Sequence, residues 1–276
     1  MSEYSLKPLS PVCGAEIRGI NFNHRLTAEM VASLRQTLLK YLVLVFRCGK
    51  ISEDTQIGIA QHFGPTIGAR SALRKDGGDR RLMVISNVRE NGEPIGALPD
   101  GELMFHSDSV FLQKPLLGAL LYAEEVPSTG GNTLFANMYQ AYDSLSEAVK
   151  SKISNLKAVH AYDYETSVKK ASYNRSSAPF AEHPVVRTHP ETGRKALYVN
   201  RLMTEELVGL PANESKALLE ILFAHAERSE HVYEHVWKRE DLVFWDNRCT
   251  QHARTNFPSD ERRLLRRVGI EGDTPF

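Results

Sequence analysis

Strand-like runs recur along most of this chain, and their number limits the folds open to it. They stand at Leu82–Ser86, Leu103–His106, Leu116–Tyr122, Thr133–Asn137, Val185–Thr188, Ala196–Val199, Leu242–Trp245 and Leu264–Ile270. Each has strand length and is rich in β-branched, aromatic or other apolar residues. A further run, Tyr41–Phe46, is apolar throughout, as expected of a strand buried on both faces. Few helical stretches interrupt the series. Many short strands with few helices predict a mainly β fold with flanking helices, arranged as an antiparallel double-sheet roll.

The helical exceptions are legible from spacing. Met30, Leu34 and Leu38 recur every fourth residue, which predicts a helix from an N-cap at Thr27 to about Lys40. A second should start near Ser52, turn Ile57, Ala60 and Phe63 inward, and stop at Gly64. Two more are expected over Ser144–Leu156 and over Asn213–Glu227, with Asn213 as N-cap. Gly, Pro and charged residues crowd Gly64–Gly101, and His160–Phe180 is polar and aperiodic. Loops of that length are commonly functional, so lid-like segments are predicted near 66–101 and 160–180 of one domain spanning 1–276.

Composition narrows the function. Lys plus Arg and Asp plus Glu each total 34, for a formal charge of zero. That gives no general attraction to nucleic acid or to an anionic membrane. The longest apolar run falls far short of a membrane span, and Met1–Ser10 has no signal-like apolar core. Cys13, Cys48 and Cys249 are an odd, scattered set, against a disulfide framework or thiolate metal site. A soluble, cytoplasmic protein acting on small molecules is expected.

The chemistry gathers around His106-Ser107-Asp108. A histidine and a carboxylate two apart on a strand point to one face and can reach one metal ion together. His252, after the buried run Leu242–Trp245 and the Asp246-Asn247 turn, can supply a third ligand. Two imidazoles and one carboxylate with open positions opposite are the signature of a non-heme Fe(II) oxygenase. A zinc-dependent hydrolase could use the same three residues with a metal-bound water, and a non-catalytic jelly-roll binding protein is the remaining alternative. His231 and His235 have the spacing of a helical metal pair. However, Val232, Tyr233, Val236 and Trp237 around them read as strand.

A second pattern is the run Arg262-Arg263-Leu264-Leu265-Arg266-Arg267-Val268. On a strand, Arg263, Leu265 and Arg267 share one face. Guanidiniums match carboxylates bidentately, and burying them without anions is costly. If this strand lines a pocket, its ligands should be carboxylates or comparable anions.

Taken jointly, the chain resembles the taurine dioxygenase and 2,4-dichlorophenoxyacetate dioxygenase family of Fe(II)/2-oxoglutarate oxygenases. The resemblance rests on Leu44–Arg47, His62–Pro65, Ile85–Val88, Phe105–Asp108, Pro127–Leu134, Val186–Pro190, Gly193–Lys195, Trp245–Arg248 through His252, and Arg263–Arg267. Their order and spacing hold from about residue 5 to the C-terminus.

The resemblance implies a double-stranded β-helix, or jelly roll, with His106, Asp108 and His252 as catalytic iron ligands. Thr133 and Arg263 would hold the distal carboxylate of 2-oxoglutarate, and Arg267 would bind an anionic group of the substrate. It further implies O2 as co-substrate, succinate and CO2 as products, hydroxylation with or without cleavage, and a homo-oligomer. The substrate would be a small carboxylate, sulfonate or aryloxy acid. The histidine that aids sulfonate binding in taurine dioxygenases would fall near Ala69, where none stands. The lysines of the phenoxyacetate enzymes have no clear counterpart in Gly68–Glu93, although Arg74 and Lys75 lie nearby. Glu93–Gly101 differs from both.

Overall fold

The computed structural model describes residues 4–68, 79–97, 101–162 and 178–276. Its larger sheet has eight strands. Seven run in the order Ser5–Pro8, Ala15–Arg18, Val43–Arg47, Asp241–Asp246, Leu116–Glu125, Leu264–Glu271, Thr66–Ile67, while Leu82–Ser86 also pairs with Leu264–Glu271. The smaller sheet runs Val232–His235, Thr133–Asn137, Thr250–Arg254, Leu103–His106. Among the described strands only Ala15–Arg18 with Val43–Arg47 pair in parallel, apart from an isolated parallel bridge between Ile85 and Ala97. The result is the predicted jelly roll. Among the described residues no strand pairing joins its two sheets, so it is not a closed barrel.

Alternation explains why the larger sheet reads as nearly continuous apolar sequence. Val43, Val45, Ala119, Leu121, Val243, Trp245 and Leu265 pack with Phe135 and Ala136 of the smaller sheet. Leu44, Phe46, Leu120, Tyr122, Leu242, Phe244, Val268 and Ile270 pack on the other face with Leu34, Leu38, Ile57 and Ala60 of two helices. Both faces are therefore buried, as in strands covered on two sides.

Those helices are Ala28–Tyr41 and Glu53–Gln61, capped by Thr27 and Ser52 through their side-chain oxygens, as read from the sequence. Several boundaries differ. Tyr41 closes the first helix instead of opening a strand; Leu42, at φ 64°, reverses the chain before Val43. The stretch Ser144–Leu156 is the second of two short helices, Met138–Asp143 and Glu147–Ile153, because Ser146 caps the latter. Asn213 lies inside Ala212–Ala226, whose N-cap position is Pro211 with no side-chain cap.

The lid-like segments are only partly described. Thr66–Ile67 and Leu82–Ser86 inside the first, and Lys157–Ala161 and Phe180–Pro184 overlapping the ends of the second, are sheet strands, while 69–78, 98–100 and 163–177 lie outside the described residues. No described helix is long and apolar enough to cross a membrane.

Candidate metal centre

His252 stands directly opposite His106 where Thr250–Arg254 pairs with Leu103–His106. Their ring centroids are 4.1 Å apart, and Asp108 follows just past the strand end. His106 Nε2 lies 3.9 Å from Asp108 Oδ1, and His252 Nε2 lies 4.0 Å from Asp108 Oδ2. One ligand atom from each residue falls within 4.8 Å of the others. The structure thus brings together the three residues that the sequence singled out.

The surroundings prepare these atoms for a metal. His106 Nδ1–H donates to the Met104 carbonyl at 2.9 Å, which leaves Nε2 unprotonated and aimed at the cluster. The pairing register shifts at this point, between His252 and Arg254. Burial is the main influence on both imidazoles and pushes their pKa values down, that of His252 furthest. Neutral rings suit metal ligation. Burial would by itself raise the Asp108 carboxyl, but the charge of Arg267, with lesser help from the two facing imidazoles, outweighs it and keeps it ionised. Asp108 Oδ2 accepts no aligned hydrogen bond, although Arg267 Nη2 stands 2.7 Å away. A neutral-His, anionic-Asp set with an unsatisfied carboxylate oxygen fits a divalent cation.

Asn247 fixes the carboxylate ligand from behind. Its Oδ1 accepts from Asp108 N at 2.8 Å, and its Nδ2 donates to Asp108 O and Leu116 O, both at 3.0 Å. In the sequence Asn247 reads only as a turn residue.

The facing predicted for the arginine strand also holds. Arg263 and Leu265 point into the roll, whereas Arg266 lies on the helix side, paired with Glu124 and the Ile51 carbonyl. Arg263 is 3% exposed and makes no salt bridge among the described residues. Its Nε and Nη2 donate to Gly131 O at 3.3 and 3.2 Å, and Phe257 lies 5.8 Å from its guanidinium. Burial, then the charge of Arg254, pushes it down to about 9. A buried guanidinium so penalised fits a missing carboxylate partner. Thr133 is buried on the same inner face as Phe135, opposite Arg254 in register. Its Oγ1 accepts from Trp237 Nε1 at 3.0 Å. Neither Arg254 nor Trp237 stands out in the sequence, because the strand pairing alone brings them to Thr133.

The other clusters are structural. His231 bonds Ser144 and the His225 carbonyl, while His235 faces Asp241 at 3.3 Å, so the two histidines do not share a metal site. His189, Asp246 and Cys249 also converge. There, however, the Asp246 carboxylate is taken by Arg248 at 2.9 and 2.7 Å and by His189 at 3.1 Å.

A jelly roll holding two histidines and an aspartate within reach of one ion, with a buried unpaired arginine nearby, defines the non-heme iron oxygenase class. The comparisons give the family. The model of the taurine catabolism dioxygenase TauD, TfdA family matches residues 5–268, and the chain belongs to that family. It is 32% identical to an (S)-phenoxypropionate/alpha-ketoglutarate-dioxygenase of Sphingobium herbicidovorans, covering 98% of this chain and 96% of that one. It is 34% identical to an alpha-ketoglutarate-dependent 2,4-dichlorophenoxyacetate dioxygenase of Cupriavidus pinatubonensis, covering 95% of each. A crystal structure of AAD-2 in complex with Mn(II) and N-oxalylglycine superposes with a TM-score of 0.83 at 31% identity, covering 99% of this chain and 98% of that chain. The protein is an Fe(II)/2-oxoglutarate-dependent dioxygenase, with iron(II) as cofactor and 2-oxoglutarate and O2 as co-substrates.

Proposed function

We propose that this enzyme hydroxylates a small organic anion, held by Arg267 beside iron that His106, Asp108 and His252 ligate. One observation carries the reading: the inner side of Leu264–Glu271, with Arg263 immediately before it, presents two separate guanidiniums. Arg263 is deep against Gly131, and Arg267 is at the metal cluster, 2.7 Å from Asp108, with its Nε lacking a hydrogen-bond partner. Two cations at two depths suit two anions, a co-substrate and a substrate.

Iron(II) with 2-oxoglutarate and O2 supplies oxidation of a C–H bond, coupled to loss of CO2 and formation of succinate. The residues provide position. Arg263 and Thr133 bind the distal carboxylate of 2-oxoglutarate and so orient its 2-oxo acid end. Arg267 fixes the anionic group of the substrate, which selects the carbon presented to the metal. Phe135 and Trp245, whose rings lie 6.2 and 4.8 Å from that of His252, keep water from that side of the cluster. A hydroxyl placed on a carbon bearing an ether or sulfate oxygen collapses with bond cleavage. Relatives include the two aryloxy acid enzymes and an alpha-ketoglutarate-dependent sulfate ester dioxygenase of Pseudomonas putida, which supports such an outcome here.

We read residues 1–276 as one catalytic domain, in keeping with the extent of the family match. The free, scattered cysteines suit a reducing cytoplasm, and homo-oligomeric assembly is carried over from the family resemblance alone. The test is a screen of aryloxy acids, alkyl sulfates, sulfonates and aliphatic carboxylates for succinate release with Fe(II). An anion should trigger turnover, and Arg267→Met should raise its KM while leaving that of 2-oxoglutarate unchanged. If only neutral compounds trigger turnover, the reading fails.

A further inference from the structure

Thr133 carries a hydroxyl whose polarity the structure has already decided. Trp237 Nε1 is a donor only, so the 3.0 Å contact occupies a lone pair of Thr133 Oγ1 and leaves the hydroxyl proton to be donated elsewhere. Among the described residues no acceptor takes it, although Thr133 is buried. A buried donor with no acceptor is costly, unless a ligand completes it.

Trp237 is itself braced. Its ring meets His235 edge-on, at 4.6 Å and 87°. His235 lies opposite Thr133 in the pairing of Val232–His235 with Thr133–Asn137. Its Nε2 faces Asp241 at 3.3 Å, and Asp241 also pairs with Arg47. A chain of side chains thus runs from half-buried Arg47 through buried Asp241, His235 and Trp237 to one hydroxyl.

We propose that Trp237 is a positioning residue: its indole N–H turns the Thr133 hydroxyl into a donor aimed at the distal carboxylate of 2-oxoglutarate, and so sets the preference for a 2-oxo diacid. This rests on the reading of Thr133 given above. With Trp237 in place the hydroxyl cannot rotate to spend its proton on the indole. The distal pocket then offers a directed O–H beside the buried charge of Arg263, and a 2-oxo acid without the second carboxylate gains from neither.

The test uses the full-length protein loaded with Zn(II) and measures dissociation constants by calorimetry for 2-oxoglutarate and for 2-oxobutyrate, which lacks the distal carboxylate. Thr133→Val should weaken 2-oxoglutarate binding roughly tenfold or more, and Trp237→Phe about three- to tenfold, the scale of hydrogen bonds to a charged group. Neither should change 2-oxobutyrate binding, and Trp237→Phe should add nothing in the Thr133→Val background. If Thr133→Val leaves 2-oxoglutarate binding intact, the assignment of Thr133 fails and the proposal with it. If Thr133→Val weakens binding but Trp237→Phe does not, Thr133 keeps its role and the proposal is overturned. Additive losses, or equal losses for both acids, also overturn it.

A second measurement does not depend on the folding of the Trp237 variant. The chain has two tryptophans, and Trp245 Nε1 has no hydrogen-bond partner, so two distinct indole N–H resonances are expected in the Zn(II)-loaded protein. The hydrogen-bonded one should move when 2-oxoglutarate is added, stay in place with 2-oxobutyrate, and lose its response in Thr133→Val. An equal response to both acids overturns the proposal.

Discussion

Asn247 grips Asp108 by both of its peptide groups, accepting from the amide at 2.8 Å and donating to the carbonyl at 3.0 Å. The carboxylate of the metal cluster is therefore held through its main chain. Its side chain is left to face His106, His252 and Arg267.

Asn247→Leu should keep the fold and loosen the metal. The shape is similar, but the bonds to Asp108 and Leu116 are lost. Affinity for Mn(II), measured by calorimetry, should fall about 10–100-fold, as for other groups that orient a ligand. An unchanged affinity in a folded variant would contradict the clamp.

Arg263 should trade stability for binding. Below about 9 the folded protein carries the cost of a buried charged guanidinium, and that cost fades as pH rises from there toward the ordinary value of 12.5. Arg263→Met should therefore raise the melting temperature of the ligand-free protein at neutral pH, by a gain of about 1–4 kcal/mol. It should also abolish the rise in melting temperature that 2-oxoglutarate gives the wild type. A variant that melts lower and still responds to 2-oxoglutarate would refute this.

Gly131 should not tolerate a side chain. At φ 63° it sits in the left-handed region, and an added Cβ would lie 3.1 Å from Arg263 Nε. Gly131→Ala should cost about 1 kcal/mol or more. It should also weaken 2-oxoglutarate binding, because the shift is forced on the Arg263 side chain. Comparing chemical denaturation with calorimetry separates the two effects.

Asp246 predicts an acid dependence. Burial opposes its ionisation, but Arg248 and His189 more than compensate, and the carboxyl is held far below its ordinary 3.8. A depressed carboxyl contributes its full stability above that ordinary value and loses it as pH falls further. Asp246→Asn, which leaves Arg248 buried with a weakened partner set, should cost about 3–5 kcal/mol at neutral pH. The gap between variant and wild type in urea unfolding should narrow below about pH 4. A gap that is constant with pH would assign the loss to packing instead.

The ligand triad and the inward arginines were readable because period-two alternation converts sequence position into facing, without knowledge of the partners. That rule made Arg263 with Leu265 readable; His106 with Asp108 needed the family pattern as well, because Asp108 lies past the strand end. His252 needed the family spacing as well. Asn247, Arg254 and Trp237 were not readable, since their importance lies in which residue the pairing sets opposite or behind them. Thr133 meets Arg254 across one ladder and His235 across another, and no local pattern records either. The helix ends misjudged at Tyr41 and Asn213 have local causes, a left-handed Leu42 and a proline at the N-cap position.

The bond from His106 to the Met104 carbonyl has a consequence for how such an enzyme can change over generations. The tautomer of that ring is dictated by main chain at a register shift, and Asp108 too is gripped by its peptide groups. No single exchange of side chain at residue 104 would remove the carbonyl on which His106 depends; an insertion or deletion in the strand would be needed. The orientation of His106 is thus insulated from point mutation at residue 104, whereas that of Asp108 depends on the Asn247 side chain. Side chains elsewhere in the pocket can change over generations while the tautomer of this imidazole is inherited unaltered.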